Sequence, residues 1–241
     1  MEIIELEETV STNTWVSANK ATLTSPVLVY AISQTAGRGQ RGNSWESQPQ
    51  KNLTASIYLQ GTKVPPCGQF LISEITALSI IDLILSMGVE AKVKWPNDIY
   101  VGDKKICGIL IENSILANEI TDSVIGLGLN LNQEFFISDA PNPVSLKNIT
   151  GKNYKIADVA LNFSKIFEKR LGMLDRPEEI HQEYIKKLWR GNGAYYPFRD
   201  RKSESVFKAR ITDIARDGYL ILSSENGNTH QYAFKEVEFI L

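Results

Sequence analysis

The sequence predicts an α+β fold in two parts: helices and buried strands over residues 1–190, then a small all-β domain over residues 191–241. Three observations carry this. Several apolar runs are short and β-branched, as buried strands are. One long segment, Gln69 to Met87, is apolar around a wide helical face. After Gly191-Asn192-Gly193 the pattern changes to short strands separated by Asp217-Gly218 and Asn226-Gly227 turns.

In chain order, residues 3–7 alternate and predict a short strand, and Ser11-Thr12-Asn13 offers N-cap residues for a helix reaching Lys20. Val27–Ile32 and Leu53–Leu59 read as strands on either side of a polar stretch, Gln34–Lys51. The 69–87 helix takes its apolar face from Phe70, Ile72, Ile75, Leu78, Ile81, Leu83 and Leu85, with Gly88 suited to its C′ position. Strands follow at 91–94, 99–101, 106–111 and 123–131, with Gly102-Asp103 as a hairpin turn. Residues 132–152 read as a loop. Helices are expected from Ile156 to Leu174, and from a start with Pro177 in its first turn to Trp189. The tail strands are 206–211, 219–223 and 230–234.

Composition narrows the function. The chain has 241 residues, with 26 Lys and Arg against 28 Asp and Glu, a net charge of −2. That balance speaks against nucleic acid as the main partner. Neither the two cysteines, Cys67 and Cys107, nor the two histidines, His181 and His230, have zinc-ligand spacing. The cysteines read as reduced thiols, Cys107 as core filler, and both histidines as solvated. The N-terminus is acidic and lacks the basic start of a signal peptide. No run of ~18 residues is free of polar groups, so no membrane span and a cytoplasmic location are expected.

Four motifs carry chemistry. Gly37-Arg38-Gly39-Gln40-Arg41-Gly42 is formally G-x-G-x-x-G, but it opens no helix, and no acid ends the next strand, so a dinucleotide turn is rejected. Three glycines beside two arginines suit a loop that closes over a carboxylate or phosphate; the plainer alternative is a surface turn. Lys94-Trp95-Pro96-Asn97-Asp98 is either a nucleotide-binding turn or a hairpin corner with a packed tryptophan. Lys105, beside Gly108, can aim its ammonium at an anion or snorkel from a strand edge. Gly126-Leu127-Gly128-Leu129-Asn130 puts two glycines in a strand, which implies close approach of a ligand or another backbone, or tight packing on a helix.

In their order and spacing, Ser11-Thr12-Asn13, the block Gln34 to Gly42, Lys94 to Asp98, Lys105 to Leu110 and Gly128-Leu129-Asn130 resemble the biotin protein ligase family, over residues 1–190. The resemblance implies a central mixed β-sheet flanked by helices, a class II synthetase-like core, with a small C-terminal barrel. It implies two half-reactions: biotin and ATP give biotinyl-5′-AMP and pyrophosphate, and the biotinyl group then passes to one lysine of a biotin carboxyl carrier protein, such as that of acetyl-CoA carboxylase. Ser11, Thr12, Asn13 and Gln34 would hold the ureido end of biotin. Gly37 to Gly42 would be the closing loop, with Gly37, Arg38, Gly39, Gln40 and Lys105 against biotin, Gly108 would give room for the bicyclic ring, and Lys105 and Arg38 would be catalytic. Arg38, Arg41, Trp45, Lys94, Asn97, Asp98 and Asn130 would bind the nucleotide or adenylate. Mg²⁺ would accompany ATP near Asp98, through water.

Two departures matter. Gln40 stands where the family usually has arginine, which implies readier release of the adenylate unless Arg38 or Arg41 compensates. The Ser-Thr-Asn block begins at residue 11, which leaves no space for the helix-turn-helix domain of bifunctional members. A monofunctional ligase, monomeric or homodimeric, without nucleic-acid or membrane partners, is therefore expected. A lipoate or octanoate ligase or transferase is the nearest enzyme alternative, and a non-catalytic biotin- or DNA-binding regulator the other class.

Overall fold

The computed structural model of the chain describes residues 1–137 and 142–240, with Arg41 described by its backbone alone. A seven-stranded mixed sheet runs in the order β1-β2-β3-β7-β6-β5-β4. Its strands are β1 (Glu2–Thr9), β2 (Val27–Gln34), β3 (Leu53–Gln60), β4 (Lys92–Lys94), β5 (Asp98–Val101), β6 (Lys104–Leu116) and β7 (Glu119–Leu129). Only β1 and β2 are parallel. A second, five-stranded antiparallel sheet has the order β11-β10-β9-β8-β12, from β8 (Tyr196–Asp200), β9 (Val206–Ile214), β10 (Leu220–Ser224), β11 (Thr229–Tyr232) and β12 (Val237–Phe239). This is the mixed sheet with flanking helices and a separate all-β tail that the sequence predicts.

The central strand β3 is buried on nearly every residue because both faces of the sheet are covered. On one face lies α1 (Thr12–Asn19), whose Val16 packs with Val27, Val29, Tyr58 and Val124. On the other lie α2 (Phe70–Ser86), α4 (Ile156–Leu171) and α5 (Pro177–Lys186), over Leu28, Ala55, Ile57 and Leu59. The alternation of each strand therefore sorts its side chains between two cores. The segment Pro66–Ser86 is long and apolar enough to cross a membrane, and most of it is buried in the second core.

Several predicted boundaries move. β6 and β7 run past their apolar stretches to a turn at Ala117 and Asn118, both at positive φ, since their outer halves are only partly buried and read as polar. A short helix, α3 (Leu146–Thr150), sits in the region expected to be a loop; its signals are the reciprocal Ser145–Asn148 capping box and Gly151 at φ 72. α5 stops at Lys186 because the next residues pair with β4: Val93 N–H donates to Lys187 O at 2.8 Å and Trp189 N–H to Val93 O at 2.7 Å. β8 and β12 are missing from the sequence reading, β8 because Pro197 and two charged residues break its apolar pattern.

The tail sheet is packed into the larger core. Phe198, Ile211, Leu220 and Phe239 join the same hydrophobic cluster as the second face of the main sheet. Gly218, at φ 94 in the β9–β10 turn, lies against the Phe70 ring, where a Cβ would approach to 2.7 Å. His181, expected to be solvated, instead bridges the two parts: Nδ1 is 2.7 Å from the buried Glu74 carboxylate of α2, and Nε2 is 2.9 Å from Asp213 of β9. Burial works against its charge, but hydrogen bonds and attraction from the two carboxylates prevail and hold its pKa above the ordinary value. Burial likewise raises the Glu74 carboxyl.

Two outcomes follow from this seam. Because the folded His181 pKa exceeds the unfolded one, its stabilisation is full below about pH 6.5 and is lost as pH rises through the folded value. The urea midpoint should therefore fall from about pH 6 to about pH 9, and by less in His181→Gln. Gly218→Ala should cost about 1–3 kcal/mol in urea melts, from positive φ and the clash with Phe70.

Candidate active site

The α1 face of the sheet carries a patch with almost no side chains. Gly108 of β6 pairs with Gly128 of β7, and Leu110 with Gly126; on the other side of β7, Thr54 and Ser56 of β3 pair with the same two glycines. Period-2 alternation therefore puts three glycines on one face in register. Two side chains occupy the room. A Cβ on Gly126 would run into the Asn13 amide, and one on Gly128 into the Trp45 indole. Around this floor opens a cleft of about 1300 Å³.

One end of the cleft is lined by four neutral polar side chains, Ser11, Thr12, Asn13 and Gln34, with the Arg38–Glu112 ion pair beside Asn13. Ser11 is the N-cap of α1, yet its hydroxyl makes no capping bond. The free Thr12 N–H instead donates to Gln34 Oε1 at 2.8 Å, which leaves the Gln34 amide hydrogens for the cleft. Asn13 is saturated within the protein: Nδ2 donates to Leu110 O at 3.3 Å and Glu112 Oε2 at 2.8 Å, while Oδ1 lies 2.6 Å from Ser56 Oγ.

The loop Gly37–Trp45 folds over the patch. Arg38 and Ser44 form a bridge, and Trp45 N–H donates to Gly37 O at 2.9 Å. Gly37 does not line the cleft; it lets the loop close on itself, since a Cβ there would come within 2.6 Å of Trp45 O. Arg38 pairs with Glu112 at 2.8 Å. The Arg41 side chain lies outside the described residues. Trp45 rests on the glycine floor with Lys105 Nζ 5.5 Å from its ring, and its buried indole N–H has no partner among the described residues.

The other end is cationic. The Trp95–Pro96 peptide is cis, and Trp95 is buried with its indole N–H donating to Gly218 O of the tail at 2.9 Å. Asn97 is tied to β6 through Nδ2 to Ile109 O at 2.8 Å. Lys105 pairs with Asp98 at 2.7 Å, both mostly buried. Lys94 donates to Tyr100 OH at 3.0 Å, with its ammonium among the rings of Tyr100, Trp189 and Phe239. Burial pulls its pKa down. Asn130 Nδ2 donates to Val144 O at 3.1 Å, and its buried Oδ1 has no partner among the described residues. Cys107 is fully buried and its thiol pKa is pushed up by that burial, which suits core filler rather than a nucleophile.

Of the site residues anticipated from sequence whose side chains are described, all line this cleft except Gly37. Ser56 and Glu112, the tail residues Arg199, Arg201 and Lys235, and Gln133 went unseen. Gln133 is buried and accepts from Gln48 N–H and Asn52 Nδ2, anchoring the far side of the loop.

The model of the biotin/lipoate A/B protein ligase family matches residues 5–130, the stretch that builds this face and loop. The chain belongs to that family. It is 30% identical over 209 residues to the bifunctional ligase/repressor BirA of Bacillus spizizenii, an alignment covering 83% of this chain and 62% of that protein. It thus spans about three fifths of the length of such relatives. The biotin–[acetyl-CoA-carboxylase] ligase of Paracoccus denitrificans is 33% identical over 133 residues, 52% of this chain and 53% of that one. The fold matches the biotin protein ligase of Aquifex aeolicus in complex with biotin and ATP at a TM-score of 0.80 and 22% identity, covering 98% of this chain and 97% of that one.

Gly128→Ala should lift Trp45 off the sheet. The expected readout is a red shift and stronger quenching of the Trp45 component of fluorescence, identified by difference against Trp45→Phe. An unchanged spectrum would mean that the indole does not depend on the missing Cβ.

Proposed function

We propose that the chain is an ATP-dependent biotin–protein ligase, which joins biotin to AMP and passes the biotinyl group to a lysine of a biotin carboxyl carrier domain. The observation that carries this reading is the polarity of a single cleft: neutral hydrogen-bonding groups at one end, Lys105 and Lys94 at the other, and a side-chain-free floor between them. A cyclic urea joined by an aliphatic chain to a carboxylate has that distribution of polar, apolar and anionic groups.

In the first step a biotin carboxylate oxygen attacks the α-phosphorus of ATP. One O–P bond forms, and the bond to pyrophosphate breaks. Two anions must meet, so positive charge has to stand where negative charge gathers in the transition state. Lys105 supplies it, oriented by Asp98, and Arg38 can exchange Glu112 for ligand oxygens as the loop settles. Asn97, Asp98, Asn130 and Lys94 line the nucleotide side. In the second step the carrier's neutral ε-amine attacks the acyl carbon, AMP leaves, and the amine loses its proton. The 37–45 loop and Trp45 keep water from the anhydride until then.

Mg²⁺ accompanies ATP in this reading and neutralises phosphate charge when bound. Asp98 fits it as a lone carboxylate, because Mg²⁺ keeps most of its waters and takes one or two carboxylates beside the phosphates. Among the described residues no group of three or more His, Cys, Asp or Glu side chains could cage a metal.

The test is ATP-dependent transfer of a single biotin to a purified carrier domain, followed by mass spectrometry, with lipoate and octanoate as competing acids. Biotin alone should be transferred; transfer of lipoate or octanoate instead would overturn the assignment. Lys105→Ala should slow biotin-dependent pyrophosphate release about 100-fold or more with an unchanged circular dichroism spectrum, because the ammonium acts mainly in the transition state. Gln40→Arg should lower biotinylation of bystander lysines relative to wild type; equal labelling would show that Gln40 does not loosen adenylate retention.

A further inference from the structure

The imidazole of His181 stands between two carboxylates from different parts of the chain. Nδ1 is 2.7 Å from Glu74 Oε1 of α2, and Nε2 is 2.9 Å from Asp213 Oδ1 of β9. An ionised carboxylate only accepts, so both contacts are hydrogen bonds only while both ring nitrogens carry a proton. The neutral ring keeps one N–H and turns a lone pair toward the other carboxylate. The two partners are unequal: the Glu74 side chain is 5% exposed and that of Asp213 51%. A buried carboxylate left without its donor costs far more than an exposed one. The last ring proton therefore stays with Glu74, and the Asp213 bond is the one lost. The other charged or titratable groups around the ring are Glu178 and the buried Tyr184 hydroxyl on α5, and Arg216 in the β9–β10 turn, which pairs with Glu178 in the open.

Asp213 is tied to the turn that follows it. Its Oδ1 also accepts the Ile214 N–H at 2.8 Å. The turn is closed by Ala215 N–H to Tyr219 O at 2.8 Å and Gly218 N–H to Ala215 O at 2.7 Å. Gly218 presses on Phe70, and its carbonyl accepts the Trp95 indole N–H at 2.9 Å. Just beyond the buried Trp95 stand Asn97, held to Ile109 O, and Asp98, paired with Lys105. The Arg216–Glu178 pair also links this turn to α5, but an ion pair in open solvent holds little. The His181 bridge is the part-buried link.

We propose that protonated His181 is a positioning residue for the nucleotide end of the cleft, holding Asp213 so that the Gly218 carbonyl fixes Trp95 and, through it, Asn97 and Asp98. The inference rests on the biotin-ligase reading, in which those two side chains line the nucleotide side. It gives the tail sheet a proton-dependent hold on one substrate and not on the other. Thr12, Asn13 and Gln34 at the polar end are bonded to one another's segments and to β3 and β6. The two carboxylates hold the His181 pKa above the ordinary value. The latch is therefore complete below about pH 6.5 and is released as pH rises through the folded value.

The latch is tested by calorimetric titration of the full chain with a non-hydrolysable ATP analogue and, separately, with biotin, at about pH 6.5 and about pH 9. Wild-type affinity for the ATP analogue should fall about fivefold between the two. His181→Gln, neutral at both, should bind it at the lower pH about as weakly as the wild type does at the higher. Asp213→Ala should do the same, and the double variant should be no weaker than the weaker single one, because both act through one bond. Most of the pH slope should vanish in each variant; what survives belongs to Lys94 and the other groups of the cleft. Biotin affinity should stay within about twofold throughout, where a general loss of structure would lower it too. Acrylamide quenching of Trp95, taken by difference against Trp95→Phe, should rise in His181→Gln and in the wild type at the higher pH. If His181→Gln does not fold, Asp213→Ala, at the exposed end of the bridge, carries the test. A full pH slope in either variant, or a biotin affinity that falls in step with that for the ATP analogue, would overturn the latch alone. A wild-type chain that binds the ATP analogue but no biotin would overturn the ligase reading, with the latch still decided by the slope and by Trp95 quenching.

Discussion

The site depends on the absence of three Cβ atoms in register. Gly108, Gly126 and Gly128 fall on one face of adjacent strands, so ligand-sized and side-chain groups can lie directly on the sheet backbone. A loop and a helix N-terminus can then reach the same spot from two sides: Trp45 settles over Gly128, and Asn13 over Gly126. Each of these approaches is too close for an alanine without displacement of a ring or a hydrogen-bonded amide. The hydrogen bonds of the polar end and the ion pair of the cationic end are arranged around that surface. Their spacing is inherited from the pairing of β3, β7, β6 and β5.

The tail sheet serves the same end from outside. Its β9–β10 turn lies on Phe70 and accepts the Trp95 indole N–H, so the turn that presents Asn97 and Asp98 is braced from behind. Phe239 closes the aromatic enclosure around Lys94, and Arg199, Arg201 and Lys235 complete one wall of the cleft. His181 holds Asp213 at the edge of this contact. A sheet that looks like an appendage in sequence thus contributes to the shape and charge of the cleft.

Much of this was legible in the residues. The glycine pairs, the Lys-Trp-Pro-Asn-Asp turn and the arginine-glycine loop announce themselves because each breaks the ordinary composition of a strand or turn. Ser56 and Glu112 do not. A serine in an apolar strand and a glutamate at the end of one are unremarked until register brings Ser56 beside Asn13, 43 residues away, and Glu112 beside the same amide, 99 residues away. The tail wall was hidden for a related reason, since β8 carries a proline and alternates poorly. His181 was misread because its helix is rich in charge, while its partners come from α2 and β9, distant in the chain. Local pattern reveals which residues are unusual; partnership across strands is set by topology and has no local signal.

The most direct test of this account is a crystal structure with biotin and a non-hydrolysable ATP analogue bound. The ureido group should lie within hydrogen-bond distance of Gln34 Nε2 and Thr12 Oγ1. The ring system should lie against the Gly108–Gly128 floor, with the carboxylate beside Lys105 Nζ. Biotin bound in the reverse sense, with its carboxylate at Thr12, or bound away from the glycine floor, would contradict it.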